Sequence, residues 1–200
     1  MPEPTRRERR RAQQRTHLYT TALKLFVERG FDQVTVDDIA TAADVAKGTF
    51  FNYFPTKEHL LIEYRGGLFE TLHSYGASLT GDSARALFKK FFRKLARLVK
   101  GEGERYEMLF QELLARPHLL ALASGEGGSY RPYFQRYLEI GQAAGEVPAA
   151  ADLELLAETI RDLWGGASMH WMMERSGASL ETRVLRRIDF LFDLLELGVD

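Results

Sequence analysis

The stretch of the chain that decides its fold runs from residue 35 to residue 60 and reads TVDDIATAADVAKGTFFNYFPTKEHL. Thr35 is a favourable N-cap for a helix, and Asp38, three residues later, completes the pattern of a capping box. Asp44 follows at a tight turn, where aspartate tolerates a positive φ better than most residues. A second short helix is predicted from about Ala46 to Tyr53. Pro55 ends it, because the residue before a proline disfavours the helical conformation.

A short helix, a turn and a second short helix make the outline of a helix-turn-helix, whose second helix enters the major groove of DNA. Several side chains of the second helix are not needed for packing. Lys47 suits a guanine edge or a phosphate, Thr49 suits a phosphate or a thymine methyl group, and Asn52 can pair with adenine. The alternative is a small helical subdomain in which the aromatic side chains form a core, but it leaves two exposed aromatic rings beside a lysine unexplained.

The rest of the chain shows the periodicity of amphipathic helices. Apolar residues recur at helical spacing in each longer segment, and no alternating stretch between turn residues predicts a strand. We therefore expect an all-α fold of about nine helices, three small ones followed by six larger ones. The predicted domains are residues 1–56, with an N-terminal arm and the helix-turn-helix, and residues 57–200, which form a helical body.

Composition narrows the classes of function. The chain has 200 residues, no cysteine and a formal net charge of −1, so disulfides and thiolate metal sites are excluded. No apolar run is long enough to predict a membrane span or a secretion signal, so we expect a cytoplasmic protein with no membrane partner. Residues 1–15 hold six arginines against two glutamates, which indicates either a contact with a polyanion or a solvated tail.

Residues 45–58, VAKGTFFNYFPTKE, followed by Leu60, resemble the signature of the TetR family of transcriptional regulators. Upstream, Gly30-Phe31, Thr35-Val36 and Asp38-Ile39-Ala40 fall at that family's spacing. The resemblance implies a homodimeric repressor that binds double-stranded operator DNA. It also implies that residues 57–200 dimerise and bind a small, mostly apolar effector, which releases the DNA.

The resemblance also implies roles for single residues. Lys47, Thr49, Asn52 and Tyr53 fall at positions of DNA contact, while Thr35 and Lys57 fall where phosphates are gripped. Most members have tyrosine in place of Phe51, so one phosphate hydrogen bond is expected to be replaced by van der Waals packing. With Gly48, which lets the backbone approach DNA, the predicted DNA-binding set is Thr35, Lys47, Gly48, Thr49, Phe51, Asn52, Tyr53 and Lys57.

Two C-terminal helices, predicted at Asp152–Arg175 and Leu180–Leu197, carry more apolar side chains than one face can bury in a single chain. The alternative is that they are fully buried within one chain. Two such helices from each of two chains form a four-helix bundle, and two-fold symmetry then requires an operator that is an inverted repeat. The predicted dimer residues are Leu155, Thr159, Gly166, Met169, Met173, Ile188, Leu191 and Leu195.

The effector pocket is expected among aromatic side chains of the middle helices, although aromatic residues at helical spacing more often form plain core than line a pocket. The sequence has no P-loop, GxGxxG, HExxH or GxSxG motif and no histidine pair at metal-ligand spacing, so we expect no enzyme, no cofactor and no metal. A helical protein whose helix-turn-helix binds another protein remains the third class. The predicted pocket residues are Tyr64, Phe69, Phe88, Phe92, Phe110, Tyr137 and Trp164.

Overall fold

A computed structural model describes residues 3, 5–116, 118–119, 130–174 and 177–197. Within these ranges the chain forms nine α-helices and no strand, which confirms the predicted all-α class. In the same ranges, no helix is both long enough and apolar enough to cross a membrane. The helices are α1 (Arg6–Arg29), α2 (Val36–Ala42), α3 (Lys47–Phe51), α4 (Glu58–Ser78), α5 (Ala84–Glu102), α6 (Glu104–Ala115), α7 (Arg131–Ala143), α8 (Leu153–Met173) and α9 (Leu180–Leu197).

The chain folds into two compact units. The first contains Met1–Gly67 and Glu102–Ala123, and the second contains Leu68–Gly101 and Ser124–Asp200. Helices α1 to α3 and α6 belong to the first unit, while α7 to α9 belong to the second. The functional boundary predicted between residues 56 and 57 is a different division, since it follows roles rather than packing, and it stays a prediction.

Helix α1 begins and ends as local side chains dictate. Thr5 and Glu8 form a reciprocal capping box at its start. Gly30, with a φ of +83°, ends the helix and donates its N–H to the carbonyl of Phe26. Phe31 then packs back on the last turn, with its ring centroid 4.8 Å from that of Phe26. The end of α1 is thus fixed by residues that follow it directly in the sequence.

The second unit has an aromatic core. Phe134 of α7 is fully buried, and its ring centroid lies 5.0 Å from that of Phe88 and 5.2 Å from that of Phe91. Edge-to-face contacts at these distances stabilise aromatic clusters beyond the area that they bury. The core of the second unit is therefore organised by rings on α5 and α7.

The end of α4 is fixed to α7 by polar contacts. Arg136 donates to the carbonyls of Gly76, Ala77 and Leu79, and Tyr137 donates its hydroxyl to the Gly76 carbonyl. The Gly76 and Ala77 carbonyls lie in the last turn of α4, where a helix leaves its backbone acceptors without the N–H groups of a following turn. A Cβ atom at Gly76 would lie 2.7 Å from Cε2 of Tyr133, so the two helices approach too closely for a side chain there.

Candidate functional site

The start of α2 is the capping box that the sequence predicted. The Thr35 hydroxyl oxygen accepts the Asp38 N–H at 3.1 Å, and the Asp38 carboxylate accepts the Thr35 N–H at 2.8 Å. The Asp38 carboxylate also accepts the Thr35 hydroxyl, and these hydrogen bonds hold the pKa of Asp38 below its usual value. The Thr35 hydroxyl is therefore engaged in capping, and its phosphate contact stays a prediction.

The turn and α3 follow the predicted pattern with a shorter helix. Asp44 has a φ of +52°, as expected for the turn. Phe50 is fully buried, so it anchors α3 to the rest of the first unit. Helix α3 ends at Phe51 rather than at Tyr53, because Asn52 and Tyr53 form a turn that donates its N–H groups to Gly48 and Phe50.

The predicted DNA-contacting side chains of α3 lie at the surface. Lys47, Gly48 and Asn52 are exposed, and Thr49 and Tyr53 are half-buried. A Cβ atom at Gly48 would meet no atom within 4 Å, so the backbone is open to close approach there. Phe51 is an exposed aromatic ring, in line with the van der Waals contact expected of it. The structure thus brings Lys47 to Tyr53 together on one short exposed segment.

The arginine-rich N-terminus lies beside the end of α3. From Arg6 onward it is not a disordered tail but the first turns of α1. Tyr53 donates its hydroxyl to the Gln14 side chain at 3.0 Å, and the guanidinium of Arg11 lies 5.9 Å from the Tyr53 ring centroid. A shallow groove here is lined by Glu8, Arg11, Ala12, Arg15, Asn52 and Tyr53.

Sequence reasoning missed two partners of the predicted DNA-contacting residues. Gln14 holds Tyr53 across the groove, and Asp37 accepts a hydrogen bond from Lys47 Nζ at 2.7 Å. Both pairs join residues that are far apart in the sequence or on different helices, so no local spacing pattern indicates them. The charge excess of residues 1–15 pointed to the region but not to the contacts.

Lys57 has hydrogen-bond partners within the chain, and its predicted phosphate contact stays a prediction. Its ammonium donates to the carbonyls of Phe31 at 2.9 Å and Val34 at 3.1 Å, and it lies 4.4 Å from the Phe31 ring centroid. An ammonium has three donors, so at most one remains for a phosphate. In the structure Lys57 therefore braces the segment between α1 and α2. The sequence did not predict this bracing role.

The predicted pocket residues are divided between the two units. Tyr64 and Phe110 belong to the first unit, where the Tyr64 hydroxyl donates to Glu102 at 2.7 Å and burial raises its pKa. The other five belong to the second unit, so the structure does not gather all seven in one unit. These five are Phe69, Phe88, Phe92, Tyr137 and Trp164.

Within the second unit, four of those five residues pair with one another. Phe88 lies 5.3 Å from Tyr137, and Phe92 stacks on Trp164 at 5.9 Å between ring centroids. Burial raises the pKa of Tyr137 to about 12, so its hydroxyl stays protonated. The fifth, Phe69, stacks on Tyr130, which was not among the predicted pocket residues.

Two buried polar groups of the second unit were also missed. The Tyr133 hydroxyl and Nδ1 of His73 are buried and have no hydrogen-bond partner in the part of the chain that the structure describes. The ring centroids of Tyr133 and His73 are 5.6 Å apart. Burial raises the pKa of Tyr133, so its hydroxyl is a neutral donor. Both groups sit beside the aromatic cluster and could bind a polar group of a ligand.

Helix α8 presents an apolar face to solvent. It buries Ala157 and Ile160, while Leu155 is 59% exposed and Met173 is 75% exposed. The other predicted dimer residues of α8 are accessible as well: Gly166 and Met169 are exposed, and Thr159 is half-buried. The predicted end of this helix at Arg175 lies outside the described residues.

Helix α9 requires one correction. Ile188 was predicted at the dimer interface, but it is fully buried in the second unit and offers no surface to another molecule. Leu191 and Leu195 are half-buried. The most exposed apolar residues of α9 were not predicted: Phe190, Leu194 and Leu197. Apolar residues around the whole helix made the buried and exposed faces indistinguishable in the sequence.

Among the described residues, no group of three or more histidine, aspartate or glutamate side chains could hold a metal ion. The polar chemistry of the first unit is instead that of exposed cationic, hydroxyl and amide groups on a short helix. Such groups bind phosphates and base edges.

Comparison with known proteins points the same way. A family model described as bacterial regulatory proteins, tetR family, matches residues 18–64. The repressor DhaR of Mycobacterium sp. (strain GP1) is 28% identical over 84% of this chain and 86% of its own length. The repressor KstR of Rhodococcus jostii (strain RHA1) is 26% identical over 92% of this chain and 82% of its own length.

A solved structure is similar over nearly the whole chain. Thermus thermophilus FadR, a TetR-family transcriptional repressor solved in complex with lauroyl-CoA, is 28% identical. It matches 93% of this chain and 96% of its own chain, with a TM-score of 0.66. The likeness therefore extends beyond the helix-turn-helix to the helical body.

Proposed function

This chain belongs to the TetR family of bacterial regulatory proteins, and from that premise we propose that it represses transcription by binding operator DNA through α3. In this proposal a small, mostly apolar effector binds within residues 57–200 and releases the DNA. Chromosomal DNA as the partner also assigns the protein to the cytoplasm.

One observation supports DNA binding above all others. A capped helix-turn-helix presents Lys47 and Thr49 of α3, and Asn52 of the turn that follows it, at the surface, and the buried Phe50 anchors the helix from below. Rigid placement of donors on a helix favours base readout, because the geometry is set before binding. The exposed arginines at the start of α1 add positive charge, which favours association with the phosphate backbone.

The exposed apolar faces of α8 and α9 support a homodimer. Large apolar side chains at several successive turns are costly to leave in water and mark an interaction surface. A second copy provides the same surface through a two-fold axis. Two copies of α3 would then reach successive major grooves about 34–36 Å apart, so we propose that the operator is an inverted repeat.

The aromatic core of the second unit supports an apolar effector with a polar group. Phe92 and Trp164 supply apolar surface, while the Tyr133 hydroxyl and His73 supply buried polar atoms. The similar repressor from Thermus thermophilus was solved with lauroyl-CoA. Fatty acyl-CoA is therefore the first effector class to test. A ligand releases DNA only if it binds the DNA-free conformation more tightly than the DNA-bound one.

Selection from a pool of random duplexes tests DNA binding directly. We expect the wild-type protein to enrich an inverted repeat and to lose affinity steeply as salt concentration rises, since phosphate neutralisation releases counterions. Asn52→Ala should relax preference at one base pair in each half-site by about 1–3 kcal/mol. Gln111→Ala, an exposed amide of α6, is the matched control and should leave preference unchanged. An affinity that ignores both DNA sequence and salt would instead favour a protein partner for the helix-turn-helix.

The effector proposal has its own test. Acyl-CoA thioesters of increasing chain length are titrated into the complex with the selected duplex, and release is followed by fluorescence anisotropy. We expect release by long-chain thioesters and none by free coenzyme A, since the chain supplies the apolar surface. Release by neither would exclude this ligand class and leave the DNA-binding proposal standing.

A further inference from the structure

Two exposed charges of opposite sign meet where α2 and α3 approach each other. Asp37 lies in the first turn of α2, and Lys47 is the first residue of α3. Their side chains are 64% and 55% exposed, and the Lys47 ammonium lies 2.7 Å from the Asp37 carboxylate. The carboxylate of the neighbouring Asp38 is hydrogen-bonded to Thr35. Of the two adjacent aspartates, Asp37 is therefore the one that binds the lysine.

We propose that Asp37 is a specificity-determining residue, which acts through Lys47 by making contacts of that lysine with phosphate less favourable than contacts with base edges. The inference rests on the proposed DNA-binding function. It assigns a role in readout to an acid that no motif of the sequence selects.

Asp37 makes a contact between Lys47 and a phosphate less favourable, because the carboxylate and the phosphate are both negatively charged. A phosphate that binds Lys47 must either displace the Asp37 carboxylate or lie beside it. In the first case the carboxylate loses its partner next to a polyanion, and in the second two negative groups share one ammonium. Both arrangements are unfavourable. Since the ion pair is exposed, it contributes little to folding and acts mainly on the approach of other charges.

Base edges escape this cost. The O6 and N7 atoms of guanine are neutral acceptors, and an ammonium carries three donors. Lys47 can therefore keep its hydrogen bond to Asp37 while it donates to guanine. The carboxylate can in turn accept from the amino group of a cytosine. Asp37 thus weakens binding to any sequence that offers Lys47 only phosphates, and spares a site that offers it a base.

Asp37 is the group that positions the Lys47 side chain. Ala46, the N-cap of α3, makes no side-chain hydrogen bond, and the surface at Gly48 is open. Within the part of the chain that the structure describes, the Lys47 ammonium makes no hydrogen bond besides the one to Asp37, so Asp37 sets its position in the free protein.

The test compares two probes, the tightest duplex recovered by selection and a duplex of scrambled sequence with the same composition. For Asp37→Asn we expect affinity for the scrambled duplex to rise about 5-fold per subunit, the upper end for one exposed pair. Its salt slope should steepen by about one for each subunit, as one more phosphate is neutralised. Affinity for the selected duplex should change by less than about 3-fold, so discrimination between the two duplexes falls.

Three variants separate this role from a general charge effect. Asp44→Asn removes one carboxylate from the same helix-turn-helix, at a position where asparagine tolerates the positive φ, and should affect both duplexes alike. Asp37→Glu keeps the charge within reach of Lys47 and should retain wild-type discrimination. In a Lys47→Met background, Asp37→Asn should have no further effect on discrimination, because the acid acts through the lysine.

Each outcome decides the proposal. Equal gains on both duplexes for Asp37→Asn, or the same loss of discrimination for Asp44→Asn, would overturn it while the DNA-binding function stands. An undiminished effect in the Lys47→Met background would overturn it as well. A wild-type protein that shows no preference between the two duplexes would overturn both this inference and the proposed function.

Discussion

The segment from α2 to α3 and the pair formed by α8 and α9 both leave side chains in water, but the chemistry of those side chains is opposite. The first exposes Lys47, Asn52 and an open backbone at Gly48, while the second exposes large apolar groups such as Leu155 and Phe190. Polar groups at a surface cost nothing until a partner replaces their water, whereas contiguous apolar groups favour a partner at once. The difference suggests a conditional partner for α3 and a permanent one for α8 and α9.

The two regions also differ in how their side chains are held. Around α3 the polar groups are paired locally, as Tyr53 is with Gln14 and Lys47 with Asp37. Such pairs restrict the side chains before a ligand arrives, which lowers the entropy cost of recognition. The exposed apolar side chains of α8 and α9 cannot form such polar pairs, and we expect a second copy to order them on association.

The largest expected effect is a loss of dimerisation when charges are placed on the apolar face of α8. Leu155→Glu combined with Met169→Glu would place two charges per chain in the proposed interface, where each buried, unpaired carboxylate costs several kcal/mol. We expect the dimer to dissociate at concentrations about 1000-fold or more above the wild-type midpoint, as measured by sedimentation velocity. Ala86→Glu, at an exposed position of α5, is the control and should leave the dimer intact. A doubly charged variant that still sediments as the wild type does would show that this face is not the interface.

A smaller effect, on the free energy of unfolding, is expected in the polar first unit. Lys57→Met keeps the aliphatic stem but removes the donors to the carbonyls of Phe31 and Val34. We expect the free energy of unfolding to fall by about 1–2 kcal/mol, since hydrogen bonds from charged groups are stronger than neutral ones. Lys24→Met, at an exposed lysine that forms an ion pair with Glu28, should change it far less in the same urea titration. Equal stability of the two variants would contradict the bracing role of Lys57.

The smallest effect concerns the polar side of α9. Asp189 accepts from Lys89 Nζ at 2.8 Å and from Arg85 Nε at 2.9 Å. Partial burial alone would raise the pKa of Asp189, but the hydrogen bonds from these two cations outweigh it and hold the pKa below its usual value. A carboxylate with a lowered pKa in the folded state stabilises the protein above its unfolded pKa of about 3.9, and that contribution is lost as the pH falls through the folded value.

Asp189→Asn should therefore cost up to about 1 kcal/mol at neutral pH, a figure reduced for solvent screening of a partly exposed cluster. The wild-type and variant curves of unfolding free energy should converge as the pH falls below about 4. Asp82→Asn removes an exposed carboxylate from the same unit and serves as the control. A constant gap between wild type and Asp189→Asn from pH 7 to pH 3 would exclude the ionised cluster as the source.

Local sequence was enough for the elements whose determinants are local. The Thr35–Asp38 capping box and the positive φ at Asp44 depend on residues within a few positions, and both were predicted. The exposure of Lys47 and Asn52 also followed, because the apolar residues around them identify the packing face of α3.

Contacts between distant residues could not be predicted in the same way. The pairing of Lys57 with Phe31 and Val34 depends on a chain reversal that no spacing pattern reports. Ile188 looked like an interface residue because α9 is apolar on every side, and only packing against its neighbours distinguishes core from surface. The same ambiguity left the aromatic residues of the body undivided between core and pocket.

Hydroxyl-radical footprinting of the selected duplex shows directly whether two copies of α3 bind DNA as a two-fold pair. We expect two protected tracts related by an inverted repeat, with centres about one helical turn apart. Lys47→Met should weaken both tracts equally. A single protected tract, or a footprint that Lys47→Met leaves unchanged, would contradict the account.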